Sequence, residues 1–221
     1  MIISDSEKFI FIHNPKCAGT TVRRSLMKHE TRSNRYWMFA DLDGRKIDAA
    51  HMPLFVFKRF SEHDYKLLQS YFVFGFVRNP LSRCLSAYNE IHKKQYQEMA
   101  TGQISLDEYA SAVNAFILKI RPHEVYGHNL RYRHFTLQTN MFFDGSKRMA
   151  DLILKTEEMA KAESMLGQFS KELEACASTW NDKKNVKNLD HHYTQVFTDQ
   201  TTSHITSVYE KDFVNFDYPD K

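Results

Sequence analysis

The chain has 221 residues, 42% hydrophobic and 14% aromatic, with 17 Phe and 11 Tyr, which is enough for one domain over 1–221 with a packed core. Only 7 Gly and 5 Pro argue against long linkers, and a net charge of +3 is too small to indicate a nucleic-acid partner. Cys17, Cys84 and Cys176 form no CxxC pair, so neither a disulfide framework nor a zinc ribbon is indicated and a reducing compartment is the default.

The N-terminal apolar run is too short for a signal segment or a membrane span, so a soluble, cytoplasmic protein is expected. Phe9 to Ile12 reads as a central strand, apolar at consecutive positions as a strand covered on both faces should be. It breaks at Asn14-Pro15 into a short loop with Lys16, Gly19, Thr20 and Thr21, and a helix is predicted from about Thr20 to Lys28. Residues 30–50 are polar and irregular, with a turn signal at Asp41-Leu42-Asp43-Gly44, and the apolar cluster Leu54 to Phe57 follows His51-Met52-Pro53.

A second strong strand, Tyr71 to Val77, ends at Arg78-Asn79-Pro80, and Leu81, Leu85, Tyr88 and Ile91 continue it at helical spacing. Ser105-Leu106-Asp107-Glu108 is a capping box that opens a third helix. Residues 121–135 read as a His- and Arg-rich surface connection. Leu152 to Leu154 is a short strand with a helix from Thr156, Thr179 to Asn188 is a polar loop, and a last helix starts near Thr202. Strands alternating with helices imply an α/β fold with a central, mostly parallel sheet flanked by helices.

Two strand-to-helix junctions share one design. At the first, free amides and the hydroxyls of Thr20 and Thr21 can surround a tetrahedral anion, while Lys16 adds a point charge. At the second, Arg78 leaves a strand end and Ser86 lies about two turns into the following helix, so a guanidinium and a hydroxyl can hold a separate phosphate. Parallel strands end on one sheet edge, where ligand crevices form. Either loop alone has an ordinary reading, as a capped helix start or a salt-bridged strand end. The pair points to a ligand with two phosphate groups.

Pro15-Lys16-Cys17-Ala18-Gly19-Thr20-Thr21 resembles the 5′-phosphosulfate loop of sulfotransferases that use 3′-phosphoadenosine-5′-phosphosulfate. Phe76 through Tyr88 is similar to their 3′-phosphate motif, V-R-(D/N)-P-x-x-R-x-x-S-A-Y, and Tyr209, Asp212, Phe213, Phe216 and Tyr218 follow the tail pattern of the carbohydrate-type, or family 2, branch. His134 with Gln138 matches that branch more loosely.

The resemblance implies a P-loop-like fold and 3′-phosphoadenosine-5′-phosphosulfate as donor, with the 3′,5′-bisphosphate as product. It also implies in-line sulfuryl transfer to a hydroxyl or amine of a small-molecule or glycan acceptor, and it demands no metal. Lys16, Thr20, Thr21 and the amides of Cys17, Ala18, Gly19, Thr20 and Thr21 would hold the 5′-phosphosulfate, with Lys16 nearest the chemistry. Arg78 and Ser86 would hold the 3′-phosphate, and Arg83 would brace the motif. His51, in a position where some relatives carry a catalytic His, is the candidate general base, with Glu30 behind it. The absence of a Golgi-type anchor favours a bacterial-type member.

Other readings compete. Cys17 to Arg23 satisfies C-x5-R, the loop of cysteine-dependent phosphatases, though Pro15 and Lys16 intervene between strand and thiol. Lys16 precedes Gly19, so the order of a G-x-x-x-x-G-K-(S/T) loop is absent. A non-catalytic nucleotide-binding protein is a further alternative. His123 and His128 stand five apart and His191-His192 are adjacent, spacings that do not suit a metal site. Lys58-Arg59 and Lys183-Lys184 read as solvated loops rather than a nucleic-acid surface. Tyr36, Trp37, Tyr126, His128, Arg131 and Arg133 are candidates for the acceptor pocket.

Overall fold

The computed structural model describes residues 1–127, 129–180 and 193–219, so His128, Lys183-Lys184, His191-His192 and most of the polar loop expected to end at Asn188 lie outside the described residues. A four-stranded sheet runs through the molecule in the order β1 (Ile2–Ser4), β2 (Phe9–Ile12), β5 (Phe72–Val77) and β8 (Leu152–Lys155). β1 pairs antiparallel with β2, whereas β2–β5 and β5–β8 are parallel. The expected α/β fold with a mostly parallel, helix-flanked sheet is the fold observed.

Between these strands the chain forms α1 (Gly19–Leu26), a hairpin of β3 (Phe39–Leu42) and β4 (Arg45–Asp48), α2 (Leu54–Phe60) and α3 (Glu62–Lys66). After β5 come α4 (Pro80–Ile91), α5 (Lys93–Ala100), α6 (Leu106–Ile117), α7 (Pro122–Tyr126) and α8 (Thr139–Phe142). A small hairpin of β6 (Phe143–Asp144) and β7 (Lys147–Arg148) precedes β8. The rest is α9 (Ala162–Gly167), α10 (Lys171–Ala177), α11 (Tyr193–Val196), α12 (Asp199–Val208) and α13 (Glu210–Asn215).

The two consecutive apolar runs resolve into two faces. Phe9, Phe11, Phe74 and Phe76 point to one side, into a core with Val22 and Leu26 of α1 and Leu166, Leu173 and Trp180. Ile10, Ile12, Val73 and Val77 point to the other, against Leu54, Val56 and Phe57 of α2 and Met141 and Phe142 of α8. Alternation along a strand puts successive side chains on opposite faces, and both faces here are covered. Gly75 sits where these layers are tightest: a Cβ there would lie 2.6 Å from the Phe142 ring and 2.9 Å from the Ile12 carbonyl oxygen. A third core joins α4, α6 and α12 through Leu85, Tyr88, Tyr109, Val113 and Ile205.

Several boundaries differ from expectation. The irregular 30–50 stretch contains the β3–β4 hairpin, whose connection is the Asp41–Gly44 turn, with Gly44 at φ 74° and its N–H bonded to Asp41 Oδ1 at 3.0 Å. β1 and α5 carry no strong periodicity and escape the reading. Helical structure at Thr156 is a 3-10 turn to Lys161, and the α-helix begins only at Ala162. The last long helix starts at Asp199, because Thr198 rather than a later Thr provides the N-cap, accepting from the Thr201 N–H. No helix among the described residues is long and apolar enough to cross a membrane.

Candidate functional site

β2 and β5 are adjacent and parallel, so the loops that leave them emerge side by side. In the first loop Lys16 (φ 65°) and Ala18 (φ 57°) both adopt the left-handed conformation, which turns the chain sharply into α1. α1 has no side-chain N-cap, and among the described residues nothing accepts a hydrogen bond from the amides of residues 17–20. The Thr21 amide does have a partner, the Ala18 carbonyl at 3.0 Å, so the open cradle is one residue shorter than the 17–21 stretch expected. A row of unpartnered amides at a helix N-terminus favours an anion. Gly19 admits no side chain: a Cβ would fall 1.9 Å from His13 Cδ2 and 2.0 Å from its Nε2.

The second loop is built differently. Asn79 Oδ1 caps α4 by accepting from Leu81 N at 2.9 Å and Ser82 N at 3.3 Å, and Pro80 occupies the first helical position. The helix terminus is thereby closed. Arg78, half-buried, donates through Nε to Ser82 Oγ at 3.3 Å, and Ser86 is buried two turns along.

Gln138 locks the two loops together. Its Oε1 accepts from Arg78 N at 2.9 Å and from Asn14 Nδ2 at 3.0 Å, and its Nε2 donates to the Arg78 carbonyl at 2.9 Å. Asn14 Nδ2 also donates to the Phe76 carbonyl at 2.9 Å. Asp212 of the tail accepts from Gln138 N at 2.9 Å and from Thr139 N and Oγ1, both at 2.8 Å. Arg83, fully buried, donates to the carbonyls of His134 (3.2 Å) and Thr136 (2.9 Å) and stands 3.7 Å from Asp212. The tail motif and Arg83 thus hold a loop that in turn holds both junctions.

A cavity of about 300 Å³ opens between the junctions. Lys16, Ala18 through Thr21, Arg78 and Ser86 line it, together with His13, Trp37, His51, Glu90 and His134. Lys16 Nζ pairs with Glu90 Oε2 at 3.0 Å. Burial works against the Glu90 charge, but the hydrogen bond from Lys93 and the charge of Lys16 outweigh it and hold the carboxyl down at about 2.

The three imidazoles form a cluster, with ring centroids 4.7 Å apart for His13–His51 and 5.4 Å for His51–His134. Trp37 stacks on His13 at 5.5 Å with the rings only 8° from parallel. Burial keeps His13 well below the ordinary imidazole value, and the neighbouring cationic groups, His51 first, add to the effect. His134 is pushed down to about 3, first by burial and then by His51, Arg133 and Lys16. The Nδ1 atoms of both rings are buried without a partner among the described residues. His51 differs: its Nδ1 meets Asp48 Oδ2 at 2.9 Å.

Cys17, expected in the cradle, does not line the cavity. Its side chain is buried, Sγ lies 3.2 Å from Asn14 Nδ2 and 3.4 Å from Gln138 Oε1, and burial pushes the thiol up to about 12. Arg23 pairs with Glu30 at 2.8 Å and donates to the Met1 carbonyl at 3.1 Å. A cysteine phosphatase needs an exposed thiolate under an arginine. The C-x5-R reading fails on both residues, and Glu30, bound to Arg23, does not line the cavity.

Of the acceptor candidates, Trp37 lines the cavity and Arg133 reaches it indirectly, through Asp48 at 3.1 Å. Tyr36 is fully buried and bonded to Asp64, while Tyr126 and Arg131 lie away from the cavity lining. Sequence reasoning missed His13, Asn14, Asp48 and Glu90. Asn14 and His13 stood in plain view beside Lys16, but only the fold gives them their partners. Among the described residues no group of three or more His, Cys, Asp or Glu side chains could hold a metal ion.

Comparison with known proteins is consistent with this geometry. The model of a family described as the sulfotransferase family matches residues 1–219. No curated protein and no solved structure is matched.

Proposed function

This chain belongs to the sulfotransferase family, and from that premise we propose that it is a single-domain enzyme transferring a sulfuryl group from 3′-phosphoadenosine-5′-phosphosulfate to a hydroxyl of a carbohydrate or other small acceptor. The observation that carries the proposal is the convergence of two dissimilar anion grips on one cavity, tied together by Gln138. One grip is a backbone cradle and the other a guanidinium with a hydroxyl, which suits a donor bearing two separate phosphate groups. The residues fit such a donor: the amides of residues 17–20 have no partner among the described residues, and Lys16, Thr20, Thr21, Arg78 and Ser86 line the same space.

The bound donor supplies a sulfur activated by a phosphate leaving group. Lys16, with the cradle, binds the 5′-phosphosulfate and stabilises the charge that develops on the oxygen released by sulfur. Arg78 and Ser86 bind the 3′-phosphate, which fixes the orientation of the nucleotide. His51 takes the proton that the acceptor hydroxyl loses as its oxygen bonds to sulfur. His13 and His134 are held neutral by their surroundings, so of the three clustered rings His51 is the one suited to that role.

Calorimetry tests the donor assignment. The chain should bind 3′,5′-adenosine bisphosphate at least 10-fold more tightly than 5′-AMP, because charged hydrogen bonds to the extra phosphate are worth about 1.5–3 kcal/mol. Equal affinity for the two nucleotides, or no binding of either, would remove the two-phosphate reading.

A further inference from the structure

Asp48 closes β4 and is only 6% exposed, yet none of the motifs includes it. Its carboxylate is used on both oxygens. Oδ1 accepts the Ala50 amide at 3.0 Å, which starts the short 3-10 turn that carries His51. Oδ2 lies 2.9 Å from His51 Nδ1 and 3.1 Å from Arg133 Nε. Burial disfavours the charge on Asp48, but the hydrogen bond and charge of His51, the Ala50 amide and Arg133 together hold the carboxyl below its ordinary value. It is therefore an anion when it meets the imidazole, and an anion accepts only from a protonated nitrogen.

Resting on the reading of His51 as the base, we infer that Asp48 is the positioning residue of this site: it holds His51 as the Nδ1–H tautomer and leaves the Nε2 lone pair for the cavity. The hairpin brings the carboxylate, the 3-10 turn brings the ring, and Arg133 braces the same carboxylate oxygen. Nε2 has no partner among the described residues, and His51 lines the space that Lys16 also lines. The same contact supports the imidazolium once the proton has arrived.

Other charges surround the ring. His13 and His134 contact it and stay neutral, and the amino group of Met1 lies behind it, donating to the Ala50 carbonyl at 3.4 Å. Burial brings that amino group down to about 4, so it is neutral too. In the same cavity lining Lys16 is paired with Glu90, and Arg78 stands at the second junction. Asp48 is thus the one carboxylate in hydrogen-bonding contact with His51 among the described residues.

Nitrogen-15 histidine NMR on the full chain, without donor or acceptor, tests this directly. At about pH 8, where an ordinary imidazole is neutral, His51 should show a protonated Nδ1 and an unprotonated Nε2, its signals assigned by their loss in His51→Ala. Asp48→Asn keeps the size of the side chain and removes the charge, so the His51 nitrogen signals should shift toward a mixture of the two tautomers. A wild-type spectrum with the proton on Nε2, or an unchanged tautomer in Asp48→Asn, would overturn the inference. The wild-type spectrum decides even if the variant fails to fold. Sulfuryl transfer surviving in His51→Ala would instead remove the base assignment and leave the tautomer result standing.

Discussion

The two junctions look alike in sequence and, on the proposed function, would bind an anion in opposite ways. At the β2–α1 turn, left-handed Lys16 and Ala18 leave the helix without a side-chain cap and its first amides without partners among the described residues. At the β5–α4 turn, the Asn79 side chain fills the helix terminus and Pro80 removes a further donor, so on that reading the 3′-phosphate falls to the side chains of Arg78 and Ser86. A backbone cradle has a fixed shape and cannot be altered without moving the chain. A guanidinium with a hydroxyl is set by residue choice alone. On the proposed function the rigid device would lie beside Lys16, where a reacting group must be held within a fraction of an ångström. The side-chain device would lie where a distinguishing group need only be recognised.

The comparison breaks most sharply at Gly19. Gly19→Ala places a Cβ 1.9 Å from the His13 ring, which is buried and stacked against Trp37, while Gly19 sits in the helix's first turn. Overpacking of this kind costs about 1–3 kcal/mol. If the cradle deforms to relieve it, 3′,5′-adenosine bisphosphate binding should fall by roughly 100-fold, the equivalent of about 3 kcal/mol. Calorimetry of the folded variant checks it, and unchanged affinity would mean that the amides do not bind the nucleotide.

Arg78→Ala comes next and should act chiefly on recognition. The loop around it is held by the Arg78 backbone through Gln138, and the guanidinium's bond to Ser82 Oγ only adds to a helix start that Asn79 already caps, so the fold should survive. The preference for 3′,5′-adenosine bisphosphate over 5′-AMP should drop by about 10-fold or more, with 5′-AMP affinity nearly unchanged. A variant that keeps the preference would place the 3′-phosphate elsewhere.

What the sequence discloses follows from which interactions are local. β2, β5 and α4 are legible because apolar runs, Asn-Pro breaks and helical spacing are written in neighbouring residues, and Lys16, Thr20, Arg78 and Ser86 sit at fixed offsets from them. The 39–48 hairpin is harder: β3 alternates in exposure but places the apolar Phe39 outward, and β4 runs from exposed Arg45 and Lys46 to buried Ile47 and Asp48, so neither shows an apolar/polar alternation and only the turn signals. The Asp48–His51 contact is three residues long, yet no pattern marks it, because its meaning comes from His13 and His134 approaching from β2 and from the loop before α8. Gln138 and Asp212 are readable only as motif members. Their bonds to Arg78, Asn14 and Thr139 span 60 to 124 positions, and no short-range regularity encodes them.

The smallest effect is the most discriminating between the two designs. Asn79→Ala removes the acceptor for Leu81 N and Ser82 N, and loss of an N-cap costs about 1 kcal/mol, a drop of roughly 2–4 °C in Tm for a chain of this size. It also frees two amides at the start of α4, which gives the second junction the same open terminus as the first. Were the 3′-phosphate held by backbone there, those freed amides would tighten binding. With recognition resting on Arg78 and Ser86, the affinity for 3′,5′-adenosine bisphosphate should stay within about twofold while the melting temperature falls. Thermal unfolding and calorimetry on the same sample separate the two, and a gain in affinity would mean that the second junction is a latent cradle rather than a side-chain grip.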